Sequence, residues 1–162
     1  MIVPVEEAVA RTVSGPVFLA LTIWREARGA SVDAQVAVGY SIMNRVESPS
    51  WWGKSLDEVL GKKWQYSSMA APGDPQLILF PRFGAFSWLT ALAVARAVMA
   101  KTEPNPVPGA DSYYDSSLDK IGKPPKWAAT GKHVGDVASP GANTLRFYDL
   151  DNDYEKATTG HV

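Results

Sequence analysis

In "IWREARGAS", residues 23–31, a carboxylate stands between two arginines at the end of an apolar run, "GPVFLALTIW". That carboxylate, Glu26, has the setting in this chain best suited to acid chemistry. Three and four residues back along a helix it meets Ile23 and Thr22, while Arg25 and Arg28 project in other directions, so the carboxyl group can face an apolar wall. It also falls in the last helical turn, at the negative end of the macrodipole. Both settings favour the form that holds a proton, as a general acid working near neutral pH requires. A surface ion pair with a neighbouring arginine, worth under about 1 kcal/mol, is the commoner reason for such a pattern, and the acid reading needs support from elsewhere in the chain.

Other chemistry has thinner support. His133 in a polar loop and His161 in the terminal tail lack the spacing of a metal site or a catalytic triad. The stretch "DLDNDYE", Asp149 to Glu155, opens like a calcium loop but places Tyr154 where glycine is needed and Gly160 where a glutamate is needed, which leaves a solvated acidic tail. With no cysteine in the chain, disulfides, thiolate metal sites and a cysteine nucleophile are excluded. No G-x-S-x-G, P-loop or H-E-x-x-H motif occurs. Trp51, Trp52, Trp64, Tyr66, Tyr113, Tyr114 and Trp127 lie outside the strongest helical stripes. Rings on loops suit stacking against sugar faces, although core packing is their commoner use.

The elements that must position Glu26 are mostly helical. "SGPVFLALTIWREARG" predicts a helix capped at Ser14 or Gly15, with Pro16 at the first helical position and Gly29 as the stop. "SVDAQVAVGYSIMNRVES" predicts a second, capped by Ser31, with Asp33 favourable in its first turn and Val32, Val36, Gly39, Tyr40, Met43 and Val46 at helical spacing. "SLDEVLG" predicts a short helix and "AFSWLTALAVARAVMAK" a long one, apolar around most of its circumference and therefore buried on several sides. After the Pro/Gly linker "TEPNPVPGAD" the character changes: "DSYYDSS" and "TLRFYDL" read as short strands, separated by the irregular "GKPPKWAATGKHVGDVASPGAN". The expected class is α+β, mainly helical, with a small, aromatic, loop-rich β part.

At 162 residues and 46% hydrophobic content the chain fits one domain, residues 1–162, with a sizeable core. Sixteen basic against seventeen acidic residues give no overall case for a nucleic-acid partner or an anionic membrane, though a local basic patch is compatible with this balance. Glutamates near the amino terminus argue against a secretory signal, and the most apolar run falls short of the roughly 20 residues of a membrane span. A soluble protein, cytoplasmic when made and not inserted in a membrane, is expected.

Taken together and in order, "WREARGAS", "QVAVGYSIMNRV", "WQYSS", "ADSYYD", "KWA" and "RFY" resemble the spore-cortex-lytic (SleB-type) cell wall hydrolases over residues 17 to about 148. The resemblance implies a lysozyme-like, lytic-transglycosylase-like fold and a peptidoglycan substrate. It places the family's catalytic acid on Glu26, followed by Arg28 and Gly29. It makes Gln35, Val36, Ala37, Val38, Asn44 and Arg45 a supporting helix, with Arg28 and Arg45 holding the acid's helix to its neighbour. It also makes Gln65, Tyr66, Ser67, Tyr113 and Tyr114 candidate substrate-binding residues. The family's terminal histidine pattern is not matched by "GANTLRFY", so no role passes to His133. The implied reaction is cleavage of the β-1,4 bond between N-acetylmuramic acid and N-acetylglucosamine, by lytic transglycosylation or, as the alternative, by hydrolysis. It calls for no metal or organic cofactor. A catalytically silent wall-binding or virion domain is the reading from another class. A lone catalytic domain without a signal or wall-binding module resembles a bacteriophage endolysin: a monomer that waits in the host cytoplasm until a holin opens the way to the wall.

Overall fold

A computed structural model describes residues 3–62 and 65–150, with side chains described from residue 14 onward. Trp64, His161 and the acidic stretch beyond Leu150 lie outside the described residues.

Four helices form the body: α1 (Val3–Ala27), α2 (Val32–Glu47), α3 (Leu56–Gly61) and α5 (Phe86–Ala100), with a single turn, α4 (Ser67–Ala70), between α3 and α5. Caps sit where side-chain chemistry puts them. Ser31 Oγ accepts from the Ala34 N–H at the start of α2, and Ser55 does the same for Glu58 at the start of α3. At the start of α1 the structure departs from expectation, because the helix begins at Val3 and runs through Pro16. Pro16 removes one intrahelical hydrogen bond, but "VEEAVARTV" before it is rich in helix formers, and the helix continues through the defect.

The core lies where α5 packs across α1 and α2. Leu19, Ala20 and Ile23 of α1 meet Val38 and Ile42 of α2 and Ala91, Val94, Ala95 and Val98 of α5. Fully burying a leucine or isoleucine side chain contributes about 1.5–3 kcal/mol, so this junction fixes the direction of α1 and with it the position of Glu26. Gly39 permits the approach: a Cβ there would stand 3.1 Å from Val98 Cγ2 and 3.2 Å from Ile23 Cδ1. One expectation about α5 is corrected, since Phe86, Leu89 and Met99 are exposed and the helix is buried on one side only.

A three-stranded antiparallel sheet follows, in the order β1 (Ser112–Asp115), β3 (Leu145–Asp149), β2 (Lys132–Val137). β2 occupies a stretch expected to be irregular, and His133 therefore sits on a strand and not in a loop. Its glycine and charged residues conceal it in the sequence. It forms because β3 offers a partner edge, with a register irregularity between His133 and Gly135. Tyr113 pairs with Phe147, which is fully buried in the main core. A short helix, α6 (Ser117–Lys120), closes the far side of the sheet. The class is α+β, mainly helical.

Candidate active site

Glu26 ends α1 at the edge of the core, and its surroundings are not the expected apolar wall. The side chain is exposed, and two hydroxyls reach its carboxylate. Ser68 Oγ donates to Oε1, and Tyr113 OH donates to Oε2 at 3.2 Å. Ile23 and Thr22 do lie behind it, but both are fully buried inward, so the carboxyl group projects past them into a cleft. The cleft has a volume of about 210 Å3 and is lined by Glu26, Arg45, Gln65, Tyr66, Ser112, Tyr113 and Trp127.

Two arginines fix the frame. Buried Arg25 donates to the carbonyls of Leu77, Leu79 and Ser68, at 2.9 Å for Ser68, and so pins the α4 turn beside the helix that carries the acid. Burial lowers the pKa of this guanidinium, with Asp74 acting the other way. Arg45 is buried on α2 and donates to the Asp111 carbonyl at 2.6 Å and to Gln65 Oε1 at 2.8 Å, with its guanidinium over the rings of Trp52 and Tyr66. A planar fork meeting neutral acceptors in this way orients them, and the effect here is to aim Gln65 into the cleft.

Two phenols line the cleft. Burial raises the pKa of Tyr113 well above its ordinary value, with Glu26 adding to the shift. Burial raises Tyr66 as well, opposed by Arg45 and assisted by Glu26 and Asp111. The Tyr66 hydroxyl is buried and has no hydrogen-bond partner among the described residues.

Of the residues singled out from sequence, the structure brings Glu26, Arg45, Gln65, Tyr66 and Tyr113 together. Arg28 instead closes the end of α1. It donates to the carbonyls of Trp24 and Arg25 and to Gln76 Oε1, and it stacks over the Trp24 ring. Asn44 holds the chain after α5, donating to the carbonyls of Val107 and Ala110. Ser67 is exposed and bonded to Asp74, so the serine at the acid is its neighbour, Ser68. Tyr114 points to the opposite face of the sheet, where its hydroxyl donates to Asp119 at 3.0 Å and its ring packs on Tyr148 and Trp127. The sequence reading missed Ser68, Ser112 and the anchoring by Arg25. Their signal is weak, a second serine beside the first and an arginine beside the acid.

No carboxylate other than Glu26 lines the cleft among the described residues. Asp115 accepts from the Ser117 N–H in a turn, and buried Asp111 accepts from the Leu150 N–H and from Ser112. Among the described residues, no group of three or more His, Asp or Glu side chains converges as metal ligands would. A larger depression of about 310 Å3, bordered by Asn44, Glu47, Trp52 and Asp149, contains neither Glu26 nor its donors.

A model of the cell wall hydrolase family matches residues 29–139, more than half of the chain. The match takes in every lining residue of the cleft except Glu26, which precedes it by three positions. No curated protein and no solved structure matches the chain. Both the matched stretch and the cleft it builds around the end of α1 lead to one assignment: the chain belongs to the cell wall hydrolase family.

Proposed function

We propose that this protein is a glycosidase that cuts the β-1,4 bond between N-acetylmuramic acid and N-acetylglucosamine in peptidoglycan, with Glu26 as its acid. The observation that carries the reading is the carboxyl group of Glu26, gripped by Ser68 and Tyr113 at the mouth of a polar cleft in a cell wall hydrolase domain.

Protonated Glu26 gives its proton to the glycosidic oxygen as the bond to C1 of the muramic sugar breaks and oxocarbenium character grows on that sugar. Two hydroxyl donors, one on each carboxyl oxygen, hold the acid in a single orientation, which is the positional control that proton transfer needs. Tyr66 and Gln65 then bind the polar substituents of the sugar, with the free Tyr66 hydroxyl donating to an acceptor on the substrate.

That Glu26 is the one carboxylate lining the cleft among the described residues favours lytic transglycosylation over hydrolysis. The 6-hydroxyl of the same muramic residue attacks C1 and gives its proton to Glu26, now a carboxylate, which restores the acid and leaves a 1,6-anhydro end. A muramidase would use water as the nucleophile and would call on a second base. Action as a phage endolysin, made in the host cytoplasm and released to the wall, is proposed with this chemistry on the sequence resemblance alone.

The test is release of soluble fragments from purified peptidoglycan by wild type and Glu26→Gln, with melting temperatures compared. Loss of release with folding intact supports the enzyme. Equal release by both, or binding without release by the wild type, overturns it.

A further inference from the structure

The segment between the cleft and the central helix carries apolar side chains that the fold leaves largely exposed, Phe80 among them although one side of its ring meets the Arg25 guanidinium. Ile78 is 81% exposed, Phe80 70% and Phe86 86%, and Phe83 is fully exposed. On α5, Phe86, Leu89, Ala93 and Arg96 are all exposed and follow one another at helical spacing, so the apolar strip continues from the loop along one face of the helix. A soluble surface tolerates scattered exposed leucines, but contiguous aromatic and aliphatic groups of this extent mark a contact surface.

The loop is built to present these groups. Arg25 holds the carbonyls of Leu77 and Leu79 from beneath, Arg28 holds Gln76, and Trp24 Nε1 donates to Ser87 at 3.0 Å. A turn at Gly84, with φ at 81°, lifts Phe83 clear of the body. Charge selects the occupant. From Pro75 to Lys101 there is no carboxylate, while Arg82 and Arg96 are exposed on the same stretch; Lys101 is paired with Glu47. A second copy of the chain would bring these arginines against their own kind with no acid to meet them. A neutral glycan strand could stack on the rings but would leave the charges of Arg82 and Arg96 without a counter-charge.

We propose that the Ile78–Arg96 strip docks on an anionic lipid bilayer, with Phe80, Phe83 and Phe86 entering the headgroup boundary and Arg82 and Arg96 meeting lipid phosphates. Aromatic groups at an interface combined with basic residues give peripheral, salt-sensitive attachment. Because Arg25 and Arg28 tie the strip to the end of α1, the attached enzyme would hold its cleft in a fixed orientation to the membrane.

The test uses the intact protein and sedimentation with vesicles of phosphatidylethanolamine and phosphatidylglycerol, compared with pure phosphatidylcholine. Wild type is expected to sediment with the anionic vesicles, at least tenfold less in 0.5 M salt. Phe83→Asp, at a fully exposed position that does not line the cleft, is expected to lose at least tenfold in binding while its release of fragments from purified peptidoglycan is unchanged. Arg82→Ala combined with Arg96→Ala is expected to abolish the preference for anionic vesicles. Failure to sediment with anionic vesicles, equal binding by Phe83→Asp, or sedimentation without lipid through self-association would each overturn the proposal. So would loss by Phe83→Asp of binding to peptidoglycan in place of vesicles.

Discussion

Tyr113 and Tyr114 are adjacent on β1 and share a residue type, yet they occupy different chemical settings. Tyr113 turns toward the helical body, touches Phe147 and donates to the acid. Tyr114 turns the other way into a second cluster with Tyr148, Trp127 and Leu150, next to a chain of polar contacts. There, Arg146 bridges Asp119 at 2.7 Å and Asp136 at 2.5 Å, and Asp136 in turn meets His133 at 2.7 Å. Arg146, Asp119, Asp136 and His133 of this far face thus pair with one another inside the protein. The cleft face differs: Arg45 donates to neutral groups, the Tyr66 hydroxyl has no hydrogen-bond partner among the described residues, and Glu26 is held but exposed. One face spends its polar groups on stability and the other keeps them available.

The largest expected contrast between the faces is in catalysis. Glu26→Gln should lower the rate of fragment release by about 10²–10⁴-fold, the usual worth of a general acid, while Tyr114→Phe in the same assay should change it less than about twofold. In stability the ranking reverses. Glu26→Gln should be near neutral, whereas Tyr114→Phe should cost about 1 kcal/mol in urea unfolding through the lost bond to Asp119.

Arg45→Ala joins the two properties, because this residue is both buried frame and cleft wall. Loss of its bonds to the Asp111 carbonyl and Gln65 should destabilise the fold by about 2–4 kcal/mol. Arg45→Lys should recover part of the stability and little of the activity, because an ammonium cannot reproduce the fork.

Tyr66→Phe separates binding from folding. A buried hydroxyl without a partner contributes nothing to stability, so its removal should leave the midpoint of unfolding unchanged or raised, while the lost hydrogen bond to substrate should cost about tenfold in kcat/KM. A fall in stability would show that the hydroxyl has a structural partner.

The effect confined to alkaline conditions is a pH dependence of stability. The phenols of Tyr66, Tyr113 and Tyr114 are all raised above their ordinary value of 10.0, chiefly by burial. Below about pH 10 their contribution is complete. As pH rises further, the unfolded chain releases protons that the folded chain retains, and stability should fall by at most about 1.4 kcal/mol per pH unit for each phenol. Tyr113→Phe should make that decline shallower in alkaline unfolding curves.

What the sequence reveals here is local. The cap at Ser31, the short helix after Ser55, the end of α1 just past Glu26 and the strands at Tyr113 and Phe147 follow from side-chain chemistry within a few residues. Hidden features depend on distant partners. β2 exists because β3 is there to pair with it, against a composition rich in glycine and charge. Which of Ser67 and Ser68 meets the acid depends on the phase of a four-residue turn pinned by Arg25. Alternation along β1 separates Tyr113 from Tyr114, but only the body packed on one face decides which of them reaches Glu26.

The central claim is that one carboxyl group in this cleft serves as acid and then as base. Digestion of purified peptidoglycan in oxygen-18-labelled water, followed by mass spectrometry of the released fragments, tests it most directly. The account predicts fragments one water lighter than reducing muropeptides and free of label at the muramic end. Reducing fragments that carry the solvent's oxygen-18 would contradict it and require a water nucleophile with a second base.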